Sequence, residues 1–511
     1  MSDRTRREFI RTITALLAAS KTGLGGASIL SGRGKTGEDP DRVQAPAPDY
    51  SRWNGIQMSP HTMLYQGIDR CLDLLAEEAA VNVIMPYSHA FHTSTLGKPV
   101  NSLASHFGEE KRDFRGIVPS IWVRHNEEFF SNTSLRPRPT DPDLEFAEND
   151  LFQELLEPAR ERGMKIFPRV LEASGAHIEN FDRVRTVDAY GNRGRHACFS
   201  HPEYREFWAA CVRDMFTNYE LDGFQWGAER MGPLMNVVLP WNDDAPTCYC
   251  EHCLARVEDA NIDPERAKEG FTKLYEYVRG LIDGEPEPAE GVFTIFLRHL
   301  IQYPEILSWQ YQFRLSREEL QRDIYNAIKE IKPDAEVGWH VDHQPSSWDM
   351  VFRAEMSYEE MAPHSDFIKL ILYHEVLAPR IRSWYLERFQ RTILRELSLK
   401  QSLQIYYALF GYDSEKEPAL EDMRSQGFSP NYVYRETKRS VASAGGATDI
   451  IAGIGIDVPG SPPDHPDRVY EATLGAFEGG ARGILISREY EEMEVENLAA
   501  VGRAVREWES R

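Results

Sequence analysis

Two groupings of residues have the types and spacing to do chemistry. The first is Cys248-Tyr249-Cys250-Glu251-His252-Cys253, three thiols within six positions. Thiolates in a C-x-C-x-x-C array can converge on one tetrahedral zinc, which takes four S or N ligands at about 2.0–2.3 Å. Cys198 is the first candidate for the fourth ligand and His252 the next. A closed site of this kind is structural and activates no water; the competing reading is a redox or disulfide cluster. Cys71 and Cys211 fall within helical apolar patterns and read as small core residues.

The second grouping is a series of polar and aromatic residues, each just past an apolar run of β type. In chain order they are His61 and Tyr65; Tyr87, His89 and His92; Arg169 and Glu172; Trp226, Glu229 and Arg230. The series continues with His340, Asp342 and His343; Tyr373, His374 and Glu375; Asp457; and Arg488 with Glu489. Carboxylates recurring at such positions suit acid–base or glycosyl chemistry, and neighbouring Trp and Tyr offer stacking faces for sugar rings.

The elements that would position these groups alternate strand and helix. Strands are expected at 55–58, 81–86, 165–170, 223–226, 336–341, 367–373, 450–456 and 483–487. Helical patterns lie between them at 68–78, 151–162, 203–219, 311–331, 381–397, 432–444, 468–479 and 494–508. Eight strand–helix units predict an α/β fold, the (β/α)8 TIM barrel, with inward positions filled by branched apolar residues. The segments 89–150 and 230–308 are much longer than ordinary connections and would roof the C-terminal face of the barrel. Residues 402–412 read as an insertion helix, since a strand there would be a ninth.

The N-terminus carries Arg6-Arg7, then Phe9, then an apolar stretch rich in small residues from Ile13 to Leu30. That order predicts a twin-arginine export signal over 1–30 and a periplasmic or secreted protein. Lys21 and several glycines make the stretch a poor membrane span, and no later run reaches the roughly 18 apolar residues a span needs. Residues 31–50 read as a disordered linker, leaving 51–511 as one barrel domain. With 58 Lys and Arg against 81 Asp and Glu, the net charge of −23 disfavours a nucleic-acid partner. A neutral sugar fits that balance, and a homo-oligomer is compatible with it.

The run from Gly191 through His196, Cys198, His201, Pro202, Tyr204 and Arg205, then Gly223-Phe224-Gln225-Trp226-Gly227-Ala228-Glu229-Arg230, then the cysteine loop, resembles the centre of glycoside hydrolase family 42 β-galactosidases. The resemblance covers roughly 190–257. It implies that Glu229 is the general acid/base and that Cys198, Cys248, Cys250 and Cys253 hold structural zinc. Two departures stand out. Ala228 occupies the place of the family's Asn before the catalytic Glu, and no Glu after strand seven matches its nucleophile; the nearest carboxylate is Asp457.

The expected reaction is cleavage of a glycosidic bond. Glu229, with its pKa raised in a pocket against Trp226, would protonate the leaving oxygen. Asp457, or Glu375 instead, would attack the anomeric carbon or activate water. His61, His89, Arg169, Glu172, Trp226, Arg230, His340, Asp342, Tyr373 and Arg488 are the expected substrate-binding residues. Two other readings remain. One is a metal-dependent sugar isomerase, epimerase or lyase using Glu172, His340, Asp342, His343, His374 and Glu375; the other is a carbohydrate-binding barrel without turnover.

Overall fold

A computed structural model describes residues 53–89, 106–108, 112–114, 116–172, 175, 177–241, 244–344, 346, 349–355 and 357–511. The export signal over 1–30, the linker over 31–50 and His92 lie outside the described residues.

Eight parallel strands close on one another. They are β1 Trp53–Met58, β2 Val83–His89, β3 in two pieces (Lys165–Ile166 and Arg169–Glu172), β4 Gly223–Ala228, β5 Glu336–Val341, β6 Phe367–Ile371, β7 Asp449–Gly455 and β8 Gly483–Ser487. Each pairs with its sequence neighbours, and β1 pairs with both β2 and β8, so no edge is left open. This is a (β/α)8 barrel. Gly483 permits the closing seam, because a Cβ there would stand 1.9 Å from the Trp53 carbonyl oxygen.

Outside run α1 Ile68–Ala79, α2 Leu151–Glu161, α3 Pro202–Asn218, α4 Glu305–Ile331, α5 Met350–Glu355, α6 Pro430–Ala444, α7 Pro466–Glu478 and α8 Val495–Ser510. The helices α3, α6 and α7 open on proline, whose fixed φ suits a first turn where no N–H bond is lost. In α1 the buried Cys71, Leu72, Leu75 and Ala79 fall on one face, as a helix lying against a sheet requires.

Successive strand residues alternate between the barrel interior and the helices. The lower interior is filled by Trp53, Val83, Met85, Phe167, Phe367, Ile451 and Leu485. The Trp53 ring lies 5.8 Å from Phe167 and 5.6 Å from Phe367. Above this layer the expected apolar filling gives way to buried Gln57, Arg169, Gln225, His340 and Lys369. The barrel is therefore oily at its base and polar toward its C-terminal mouth.

The long connection after β4 lies over the C-terminal mouth as expected, whereas the described part of the connection after β2 packs outside against α3, with the Phe130 and Phe207 ring centres 5.7 Å apart. The chain after β4 forms helices Pro233–Val238, Glu251–Asp259, Pro264–Asp283 and Val292–Gln302 before α4 begins. After β3 the antiparallel pair Arg185–Val187 and Arg193–Ala197 delivers Cys198. The segment 402–412 is helical, within Leu399–Phe410, and stops at Gly411 with φ of 69°. The pattern at 381–397 belongs to the same insertion after β6, as a wide turn Ile381–Leu386 and a short helix Glu387–Arg391. Among the described residues no helix is long and apolar enough to cross a membrane.

Candidate active site

A cavity of about 950 Å³ opens at the C-terminal mouth, within the range of small-molecule sites. From β4 it receives Glu229, whose side chain is 40% exposed and therefore reachable. Positions 223, 225, 227 and 229 share the inward parity of β4, so Glu229 continues that inward row past the strand end. Its Oε1 lies 3.3 Å from His340 Nε2, and the far nitrogen of that ring is 3.5 Å from Lys369 Nζ. Lys369 in turn donates to the Tyr373 hydroxyl at 3.1 Å. Burial holds His340 down at about 4 and holds Lys369 well below the usual lysine range. Both favour the neutral form, which lets a buried chain of basic groups support one carboxylate without accumulating charge.

Asp342 follows β5 and lines the cavity beside Glu229. Burial, then the Glu229 charge, pushes its carboxyl well above the ordinary range. Glu489, just past β8, stands on the strand opposite β4 in the ring of eight. Its oxygens accept from the Tyr87 hydroxyl at 3.0 Å and the Ser59 hydroxyl at 3.1 Å, which fix its orientation. The Arg169 guanidinium lies 4.5 Å from the centre of the Tyr87 ring. The mouth thus presents an exposed carboxylate on one side, an oriented carboxylate across from it, and beside the first a buried carboxyl shifted toward its protonated form.

Of the expected residues, Glu229, Arg169, Glu172, Arg230, His340, Asp342, Tyr373 and Arg488 line the cavity together. Arg230 and Glu172 are mutually engaged in a buried ion pair, and Tyr204 also donates to Glu172 at 2.9 Å. Five expected residues stand elsewhere. Trp226 has the outward parity of β4 and is fully buried, so it forms no wall against Glu229. His89 follows an irregularity in β2 pairing and turns toward Trp208 of α3. His61 is buried 4.7 Å from the Phe114 ring centre.

Neither expected second carboxylate lines the cavity. Asp457 takes a left-handed φ of 50° and accepts from the Glu494 N–H at 2.8 Å and from Asn497 Nδ2 at 3.0 Å. That conformation turns it from the inward row of β7 to the start of α8. Glu375 is ion-paired with Arg468 and lies 3.4 Å from His374 Nε2. His374 and Glu375 converge with Asp464, away from the Glu172, His340 and Asp342 with which a metal-dependent reading would group them.

Besides Tyr87 and Tyr373, two tryptophans that the sequence did not single out line the cavity. Trp241 and Trp384 line the cavity with ring centres 4.8 Å apart, edge to face. Arg380, also lining it, lies 4.7 Å over Trp384 and 2.6 Å from His343 Nε2. Trp241 sits in an irregular insertion, and Trp384 within the helical pattern at 381–397, where periodicity does not tell which face meets a cavity. Lys369 had a legible signal, a lysine interrupting the apolar run Phe367-Ile368-Lys369-Leu370-Ile371.

At the edge of the same cavity the sulfurs of Cys198, Cys248, Cys250 and Cys253 all lie within 4.8 Å of one another. Cys198 Sγ is 3.3 Å from Cys253 Sγ and 3.5 Å from Cys250 Sγ, and all four are free thiols. Four sulfurs about 2.3 Å from a common centre stand about 3.8 Å apart, so this donor set fits one tetrahedral metal ion. His252 lies instead against His201, with ring centres 4.4 Å apart.

No family model matches this chain, and no curated protein matches it. Similar solved structures include a β-galactosidase from the psychrophilic Marinomonas ef1, 11% identical with a TM-score of 0.48, covering 89% of this chain and 59% of that one. A β-galactosidase from the Antarctic haloarchaeon Halorubrum lacusprofundi is 14% identical with a TM-score of 0.48, covering 90% and 58%. The catalytic domain of a β-amylase from Paenibacillus polymyxa is 10% identical with a TM-score of 0.44, covering 91% and 99%. The chain spans about three-fifths of the length of the two β-galactosidases.

Proposed function

We propose that this chain is an exported glycoside hydrolase, with Glu229 as general acid/base and Glu489 as the second carboxylate. The observation that carries the reading is the pair itself: an exposed Glu229 and an oriented Glu489 on opposite strands of one cavity. Glycosyl transfer needs carboxylates on both sides of the scissile bond. Glu229 protonates the leaving oxygen while His340, neutral and 3.3 Å away, holds its carboxyl in place. Glu489 attacks the anomeric carbon or activates water; a carboxyl separation near 5–5.5 Å gives retention and one near 6.5–9.5 Å gives inversion. Asp342, which keeps its proton, donates a hydrogen bond to a sugar hydroxyl, and Trp241 and Trp384 stack on the ring faces. Zinc on Cys198, Cys248, Cys250 and Cys253 supplies a structural clip joining the loops that follow β3 and β4.

The test is turnover of aryl glycosides by the purified chain and by Glu229→Gln. Loss of a general acid lowers turnover about 10²–10⁴-fold, less for a leaving group that needs no proton. Equal turnover by the two proteins removes Glu229 from the mechanism.

A further inference from the structure

Outside the barrel wall, away from the cavity and the four cysteines, a second group of ligand atoms converges. The irregularity in β2 turns His89 toward α3, where its ring centre lies 5.4 Å from that of Trp208. From the connection after β2, His125 brings its Nε2 to 3.1 Å from His89 Nε2. Cys211 of α3 completes a trio whose ligand atoms all lie within 4.8 Å of one another. His89 and Cys211 are fully buried, and the His125 side chain is 5% exposed.

Two facing imidazole nitrogens could simply share a proton. The surroundings favour a cation instead. His125 Nδ1 lies 2.5 Å from Asp214 Oδ2, a buried carboxylate oxygen that also accepts the Asn126 N–H at 3.0 Å. This contact keeps the His125 proton on Nδ1 and leaves the Nε2 lone pair facing inward, the arrangement found behind metal-bound histidines. His89 has its Nδ1 3.2 Å from Ser88 Oγ, so its Nε2 lone pair is also free to face inward. His177 lies next to this group. It is 3% exposed, its ring centre is 5.4 Å from that of His89, and its Nε2 has no hydrogen-bond partner. Its nitrogens are not among the ligand atoms that converge within 4.8 Å, so it stands beside the trio and not in it.

We propose that His89, His125 and Cys211 bind a divalent ion of the zinc class, with Asp214 orienting His125. Two imidazoles and one thiolate suit zinc, which would complete four-coordination with water or one further donor. The ion would fasten the connection after β2, which supplies His125, to β2 and α3. Cys211 would then be a ligand rather than core filling.

The test is zinc content of the full chain after dialysis against metal-free buffer, with X-ray absorption at the zinc edge. With both sites filled, the unmodified protein should hold two zinc ions with an average of about 2.5 sulfur and 1 imidazole nitrogen ligands each. His125→Gln should lose one equivalent and the nitrogen shell, whereas Cys250→Ser should lose one equivalent and most of the sulfur shell. If the four-cysteine site holds no zinc, one ion with about one sulfur and two imidazole nitrogens still supports this proposal. A spectrum of four sulfurs without imidazole, a zinc-free protein, or a folded His125→Gln chain that keeps all its zinc overturns it. The spectrum of the unmodified chain decides the matter even where the variants fail to fold.

Discussion

Replacing Arg230 by methionine should destabilise the barrel by about 3–5 kcal/mol, because it leaves a buried carboxylate without its cation. The Arg230 and Glu172 side chains are 7% and 1% exposed, so water cannot take the place of the guanidinium. Glu172 would keep only the Tyr204 hydroxyl at 2.9 Å, and its other oxygen already has no partner. Arg230 also donates to the Ala197 carbonyl at 2.5 Å and lies 4.2 Å over the Phe199 ring, so the loop carrying Cys198 loses two contacts as well. Unfolding entropy of about 2.1 cal/mol/K per residue over about 450 folded residues is about 1 kcal/mol/K, so the melting temperature should fall by about 3–5 °C. The double variant Arg230→Met/Glu172→Leu should recover most of this, since removing both charges avoids the stranded one. Thermal and urea unfolding of the two single variants and the double, taken as a cycle, measures the coupling. A loss below about 1 kcal/mol in Arg230→Met, or a double variant no better than that single, would refute the reasoning.

Cys250→Ser should release one zinc equivalent and lower the melting temperature by several degrees, as metal analysis and calorimetry would show; a folded variant with undiminished zinc contradicts the clip. A pH effect is expected at Glu491, which burial and the Glu489 charge push up to about 8. A folded pKa above the unfolded one means the native state holds the proton more tightly, so this contribution is complete below about pH 4.5 and lost as the pH rises to about 8. His61, held down at about 3 by burial, acts in the opposite sense. Its native form resists protonation, so stability grows from about pH 3 to about pH 6.5. Glu491→Gln should therefore flatten the decline between about pH 6.5 and pH 8, read as urea midpoints across that window; an unchanged slope would exclude the assignment.

The eight strands were legible because their apolar runs recur with helical stretches between them, and all eight fall where the pattern placed them. Strand ends were less so. The expected 81–86 became Val83–His89, and that extension with its irregular pairing is what sends His89 outward. Trp226 shows a different limit. Proximity to Glu229 in sequence suggested a shared pocket, yet strand parity puts a residue three positions away on the opposite face. Applying that parity to each strand would have found the polar upper layer, Lys369 and Arg169 included. Asp457 could not have been placed from sequence, because its outcome hangs on a left-handed backbone angle and a distant Asn497. The four cysteines were readable since their chemistry is conspicuous even when their loops are irregular.

The seam between β1 and β8 also shapes how such a molecule can be assembled. Trp53 pairs with Gly483 and Ile56 with Ile486, so the ring closes only when residues more than 400 positions apart meet. Until then both flanking strands present bare N–H and C=O rows, which invite pairing with another chain. Contacts of such long sequence separation form slowly. A glycine at position 483 keeps the join open to backbone approach, and Gly483→Val would leave each half of the ring intact while barring their union. Assembly, more than the finished fold, is thus the stage at which this barrel is exposed to aggregation.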